Sequence, residues 1–209
     1  MPDEPQSALE HFTASYAGDP PWEIGRPQPP FLAVADQVKG PVLDAGCGTG
    51  NMSLFFAARG LAVTGIDFVE EAIRRARAKA AERHLNVEFL LKDATTLVDW
   101  DRRFATVLDS GLFHVFNNTE ERRPYVAGLA HVLEPGGRLY LFGFSNEEPK
   151  APRGGLSLDD IRSSFAEGWE IESVETVRGQ LNPAFTEKFP DQFAKEGPLM
   201  RFAIVSKRQ

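Results

Sequence analysis

Cysteine is almost missing from this chain of 209 residues, Cys47 being the single one. That excludes an internal disulfide and a thiolate metal cluster, so no metal site is expected, and a reducing cytoplasm is the expected compartment. Basic charge is also short: 23 Lys and Arg against 30 Asp and Glu leave a net charge of -7. Proteins that track a phosphate backbone carry a basic stripe, so nucleic acid is not an expected partner. No apolar run approaches the ~20 residues that span a bilayer, and no membrane association is expected. The opening MPDEPQSALEHF has neither a basic region nor an apolar core, so no signal peptide is expected. Internal repeats and low-complexity tracts are lacking too. What remains is an ordinary composition, 42% hydrophobic and 25% charged, with length for one sizeable core. A single domain over 1–209 is expected, as a monomer or small homo-oligomer.

The most informative stretch is PVLDAGCGTGN, residues 41–51. Val42 and Leu43 suit a buried strand, and Gly46, Gly48 and Gly50 allow the backbone to adopt positive φ and approach a ligand closely. A helix is expected from Asn51 to Arg59, its unpaired N–H groups aimed at the ligand. The spacing is GxGxG, whereas nicotinamide-dinucleotide proteins use GxGxxG. Cys47, inside this turn, reads as a small filler, since a reactive thiol needs an electropositive setting.

Around this turn, strand and helix patterns alternate. Leu9, Phe12 and Tyr16 recur at helical spacing before Gly18, after a frayed start. PPWEIGRPQPP (20–30) has five prolines and reads as a stiff extended loop, either a linker strapped over the sheet by Trp22 or a lid over the ligand. A short helix is expected over 31–38, strands over 61–67, 87–91, 104–109 and 138–144, and helices over 70–84, 119–133 and 157–166. Pro124 should lie in the first turn of its helix or kink it, and 135–137 reads as a turn. This alternation implies βαβ units in a parallel sheet covered on both faces. The tail breaks the rhythm. Strands at 169–177 and 199–207 are separated by too little helical sequence for a crossover, which predicts an antiparallel pair joined by a long loop.

Ligands of open α/β sheets sit beyond the carboxyl ends of the strands. Those ends are acidic here: Asp44, Asp67, Asp93 and Asp109 each close or follow one of the first four strands. Asp67 follows the first glycine by about 20 residues, the distance at which a carboxylate can take ribose hydroxyls, so the ligand is expected to contain a nucleoside.

Taken together, VLDAGCGTG, VTGID, KDAT, FATVLDSGLFHVF and VLEPGGRLYLF resemble the class I S-adenosylmethionine (SAM) dependent methyltransferases, in the expected order over residues 40–145. The resemblance implies a Rossmann-like, seven-stranded, mostly parallel α/β sheet with an antiparallel last strand, and SAM as cofactor with S-adenosylhomocysteine as product. The resemblance sets a SAM-binding core (41–145) between an N-terminal helix and lid (1–40) and a C-terminal part (146–209), whose loop at 180–196 is expected from its phenylalanines to cover the substrate. It places Gly46, Cys47, Gly48, Gly50 and Asn51 around the methionine part, Asp44 at its ammonium, and Asp67 on the ribose. Phe68 would flank the adenine, with Asp93 and the Ala94 N–H at its edge, and Asp109 would border methionine and substrate. PPWEIGRPQP more narrowly resembles the N-terminal signature of thiopurine and halide/thiol methyltransferase-like proteins, in which this segment covers SAM and Trp22 contacts it. The Asn/Asp-Pro-Pro-Tyr/Phe motif of nucleic-acid methyltransferases is replaced by Asp109-Ser110-Gly111-Leu112.

The implied acceptor is a small aromatic or heteroaromatic compound methylated on N, S or O, with halide or inorganic-thiolate methylation and a non-catalytic SAM-binding role as the alternatives. Methyl transfer needs a base only for a protonated nucleophile, and His114 is the candidate, the other reading being a structural histidine. Of 16 phenylalanines, Phe113, Phe116, Phe185 and Phe189, with Phe193, fall in two loops and are expected to line an aromatic pocket. Arg26, Arg153 and Arg178 could meet an anionic group, but surface positions are the ordinary reading.

Overall fold

The computed structural model describes residues 7–209, apart from the side chain of Arg153. The frayed start expected before the first helix falls largely outside them. Helix α1 (Ala8–Tyr16) opens on a capping box in which Ser7 and Glu10 satisfy each other's backbone N–H, and it buries Tyr16 at its end. The proline-rich segment then runs without regular structure to α2 (Pro29–Ala33), shorter than expected and continued by a 3₁₀ turn at Ala35–Gln37.

The sheet begins with β1 (Val42–Ala45), followed by α3 (Asn51–Ala58), β2 (Val63–Asp67), α4 (Glu70–Glu82), β3 (Glu88–Leu91) and β4 (Phe104–Ser110). Then come α5 (Thr119–Val132), β5 (Leu133–Phe144), α6 (Leu158–Ser164), β6 (Trp169–Arg178), α7 (Pro183–Lys188) and β7 (Leu199–Lys207). The seven strands lie in the order β3-β2-β1-β4-β5-β7-β6. β1 to β5 pair in parallel, and β7 runs antiparallel to both β5 and β6. The chain order reverses between β1 and β4, which opens the crevice where such sheets bind ligands.

Successive residues of each central strand feed opposite faces, as the two-residue period of a strand requires. Leu43, Val107, Leu139 and Leu141 point into the core under α5 and α6 with Tyr125, Leu129 and Ile161. Val42, Leu108, Tyr140 and Phe142 point the other way, against Phe31 of α2 and Met52 and Phe56 of α3. Each of these side chains contributes about 1.5–3 kcal/mol by leaving water, so both faces of the sheet are fixed by packing. Helix α4 adds a smaller stripe of Ile73, Ala76 and Ala80 against Leu54 and Phe89.

Three local expectations are refined. Pro124 is the sixth residue of α5 instead of lying in its first turn, where it removes the donor that would reach the Glu120 carbonyl; the N-terminus is held by the Asn118 side chain. The Pro135-Gly136-Gly137 turn does not precede β5 but lies within it, as an irregularity in the pairing with β4 between Phe104 and Thr106. The long loop between β6 and β7 holds a short helix, α7, with the side chain of Asn182 accepting from the Ala184 N–H. Its neck is drawn shut by Gly179 donating to the Pro198 carbonyl at 2.9 Å. A Cβ on Gly197 would lie 1.9 Å from the Gly179 oxygen, so only glycine fits there.

Candidate active site

At the carboxyl end of β1 the chain turns through Gly46, Gly48 and Gly50, with φ of 69°, 54° and 80°, and enters α3. The turn is tied to β2: Cys47 N–H donates to the Ile66 carbonyl at 2.8 Å and Gly48 N–H to Asp67 Oδ2 at 2.9 Å. The other Asp67 oxygen receives Val69 N–H at 2.9 Å. Tyr16 closes the turn from above; a Cβ on Gly48 would sit 2.7 Å from its hydroxyl. Asp44 is buried and accepts from Ser53 Oγ at 2.6 Å. Burial, which the Ser53 bonds only partly offset, pushes its carboxyl up to about 7, and the carboxylates of Asp67 and Asp109 push in the same direction. Asp67 is raised as well by burial, against the pull of its amide donors. Asp93 is exposed and caps the 3₁₀ turn Ala94–Asp99 through Thr95 N–H at 2.8 Å.

The proline-rich strap crosses over this end. Trp22 donates from Nε1 to the Tyr16 hydroxyl at 3.1 Å, and its ring meets Phe12 edge-on, which in turn meets Phe68. Glu23 reaches down to Thr49 Oγ1 and Asn51 Nδ2, and Lys79 of α4 joins them, 3.3 Å from Glu23 Oε1 and 2.6 Å from Thr49 Oγ1. Among the described residues, Glu23, Thr49 and Lys79 form a fastening that spacing alone does not reveal. Glu23 stands in a conspicuous motif, but nothing in the sequence of α4 distinguishes Lys79 from its other cations.

Between strap, glycine turn and the β6–β7 loop lies a cavity of about 690 Å³, within the range of small-molecule sites. It brings together Trp22, Asp44, Gly46, Cys47, Gly48, Asn51, Asp67, Phe68, Asp93 and Ala94 from the expected cofactor set. From the expected acceptor set it brings His114, Phe116, Phe185 and Phe193, and adds Phe144 and Met200. The His114 ring stands edge-on to Phe144, centroids 5.4 Å apart, and Phe144 stacks on Phe193 at 5.6 Å. A Cβ on Gly143 would lie 3.1 Å from His114 Nδ1, so that nitrogen faces β5.

Four expected residues do not reach the cavity wall. Asp109 is fully buried and turned into its own loop, accepting from Leu112 and Phe113 N–H and from the Tyr125 hydroxyl at 2.9 Å. Burial raises its carboxyl to about 6 in spite of these donors. Phe113 is drawn into the core beside Phe165 and Tyr125, because its N–H is held by Asp109 and the Arg122 guanidinium covers its ring at 5.2 Å. Gly50 packs under Phe89 and Ala76, inside the sheet–helix layer. Phe189 follows the end of α7 and is 45% exposed, touching Phe185 from outside. Arg26 does line the cavity and donates to Gln180 Oε1, whereas Arg178 is exposed and holds the Gly197 carbonyl. Cys47 is half-buried and burial pushes its thiol well up, as suits the filler reading.

The donor set fits an adenosyl sulfonium better than a dinucleotide. A pyrophosphate needs the free N–H groups of the helix N-terminus and no nearby anion, but here a carboxylate, Glu23, is fastened beside the start of α3. The cavity's carboxylates, Glu23, Asp44, Asp67 and Asp93, suit a ligand bearing ammonium, hydroxyl and amine groups. Among the described residues no cluster of metal-binding side chains is present, and no helix is long and apolar enough to cross a membrane.

Comparison with known proteins agrees. A methyltransferase-domain family model matches residues 42–137. The 2-heptyl-1-hydroxyquinolin-4(1H)-one methyltransferase of Mycobacteroides abscessus is 34% identical over 85% of this chain and 84% of its own. A solved structure from work on the conversion of a disulfide bond into a thioacetal group during echinomycin biosynthesis is 34% identical, with TM-score 0.79 over 96% of this chain and 93% of that one. Magnesium protoporphyrin IX methyltransferase of Synechocystis PCC 6803, solved with bound SAM, shares the fold at 21% identity and TM-score 0.60 over 97% of this chain and 79% of its own. With that fold, that glycine turn and these relatives, the chain belongs to the class I SAM-dependent methyltransferases.

Proposed function

We propose that this enzyme methylates a hydroxyl group on a small, flat heteroaromatic compound, one acidic enough to react as its anion. The observation that carries this reading is the division of charge within the cavity. All four of its carboxylates belong to the strand ends or to the Glu23 fastening, while the side under the strap and the β6–β7 loop offers Phe116, Phe144, Phe185 and Phe193 with Arg26 and Lys150. Aromatic walls suit a planar ring, and cations without carboxylates suit an acceptor with negative charge. The relative from Mycobacteroides abscessus, whose substrate is by name a hydroxyquinolone, supports the same class. The strap's likeness to thiopurine and halide/thiol methyltransferases supports its role as a cover and says nothing further about the acceptor.

Bound SAM supplies an electrophilic methyl on sulfur, which passes in line to the acceptor oxygen as the C–S bond breaks and its electron pair stays on sulfur. For its part, the protein binds and aligns. Gly46 and Gly48 expose backbone to the methionine part, Asp44 takes its ammonium, Asp67 the ribose, and Asp93 with Ala94 the adenine edge beside Phe68. Trp22 and the strap keep water from the reacting centre. Alignment of this kind is worth about 7–11 kcal/mol. His114, from the cavity wall, takes the proton from an acceptor that arrives un-ionised, a contribution of about 10² to 10⁴-fold.

The test is a methyl-transfer screen with SAM over hydroxylated heteroaromatics, phenols, thiols, azoles and iodide, alongside calorimetric titration with SAM, S-adenosylhomocysteine and NADH. Expected are binding of both adenosyl compounds, none of NADH, and a product heavier by one methylene unit with hydroxylated heteroaromatics. Turnover confined to iodide or thiols would overturn the acceptor class.

A further inference from the structure

The strap engages both sides of the cavity. On the cofactor side it is held by Glu23 through Thr49, Asn51 and Lys79. On the other side, the Gln28 side chain forms a reciprocal pair with the backbone of Gln180: Nε2 donates to the Gln180 carbonyl at 2.9 Å, and Gln180 N–H donates to Oε1 at 2.8 Å. A further bond joins Asn182 N–H to the Pro21 carbonyl at 2.8 Å. Gln28 is 8% exposed, so its amide has exchanged water for these two partners. Between the two attachments the chain carries Pro27, with Pro20 and Pro21 before Glu23 and Pro29 and Pro30 after Gln28. Gly25, at φ 74°, lies between the attachments as well, but Glu23 and Gln28 stand only five positions apart and Pro27 fixes φ beside Gln28, so displacement at one attachment is felt at the other. The loop that it meets carries Phe185 and Phe193 on the aromatic wall.

We propose that the strap couples the two sites and that Gln28 and Gln180 are positioning residues for the acceptor. Cofactor bound between the glycine turn and Trp22 holds the strap down, and the Gln28–Gln180 pair passes that restraint to the β6–β7 loop. The acceptor pocket is thereby completed only after the cofactor has entered. This rests on the cofactor reading above and adds the order of assembly.

Hydrogen exchange of the full chain with S-adenosylhomocysteine tests it. In the unsubstituted protein the ligand is expected to slow exchange both in the turn at 44–51 and in the loop at 180–193. In Gln28→Ala the turn keeps its protection and the loop loses most of its own, the Asn182–Pro21 and Arg26–Gln180 bonds alone remaining, while KM for a hydroxylated heteroaromatic acceptor rises about tenfold with kcat within twofold. Glu23→Gln, which loosens the other attachment, should reduce loop protection with Gln28 intact and so guards against a local folding defect in the first variant. Equal loop protection with and without Gln28, or protection of the turn alone in the unsubstituted protein, overturns the coupling while leaving the cofactor reading intact. Absence of protection at the turn overturns both.

Discussion

The glycine turn and the β6–β7 loop face each other across one cavity and are built in opposite ways. The turn presents backbone, held by amide bonds to β2 and to the Asp67 carboxylate, on a sheet whose two faces are packed. The loop presents side chains, held by a narrow neck and by Gln28 reaching across 152 positions of sequence. A surface made of backbone tolerates almost no change of residue, because any Cβ intrudes. A surface made of side chains on a loop can change its occupant by changing one ring. The cofactor side should therefore fail abruptly on substitution and the acceptor side gradually.

The sharpest break in that contrast is expected at Gly48. Gly48→Val forces a branched residue into positive φ and against the Tyr16 hydroxyl, and S-adenosylhomocysteine affinity should fall by about 100-fold or more with the far-UV dichroism unchanged. Next comes Asp67→Ala, which removes the acceptor of the Gly48 and Val69 amides; charge-assisted bonds of this kind predict a loss of about 10- to 100-fold by calorimetry. On the acceptor side, Phe185→Ala should raise acceptor KM about five- to tenfold and Phe189→Ala less than twofold, because only the first ring lines the cavity. Neither should move S-adenosylhomocysteine affinity by more than about twofold, whereas the rise in acceptor KM for Phe185→Ala is the size set by a lost ring contact of ~1 kcal/mol.

The smallest effect concerns protons. The Asp44 carboxyl is pushed up to about 7 from its ordinary 3.8, so the folded chain holds a proton there that the unfolded chain has released. Its contribution to stability is therefore present below pH ~4 and lost as pH rises towards 7. A cationic group bound at Asp44 favours the ionised form, so SAM binding near pH 6.5 should release up to about one proton, read from the dependence of binding enthalpy on buffer. Asp44→Asn should abolish that release; an unchanged release would place the cation elsewhere.

The same contrast explains what could be read in the sequence. Strand periodicity, the three glycines and the aspartates at strand ends act locally, and the order of elements and the antiparallel tail followed from them, while the family resemblance named most of the residues that line the cavity beside the glycine turn. Asp109 did not follow, because its partners Leu112, Phe113 and Tyr125 turn it inward, and a strand-end position says nothing of which way a carboxylate faces. Phe113 and Phe189 misled for a related reason: loop membership cannot tell a ring drawn into the core from one left in water. Glu23 with Lys79, and Gln28 with Gln180, are pairings between distant segments that leave no periodic trace.

The most direct test of the division between the two sides is steady-state methyl transfer from SAM to a bicyclic hydroxylated heteroaromatic, measured for the unsubstituted enzyme and for Phe185→Ala. Expected are a methylated product and, in the variant, a five- to tenfold higher acceptor KM with the SAM KM changed less than about twofold. Tight S-adenosylhomocysteine binding without product from any hydroxylated ring, or a SAM KM that rises with the acceptor KM, would contradict it.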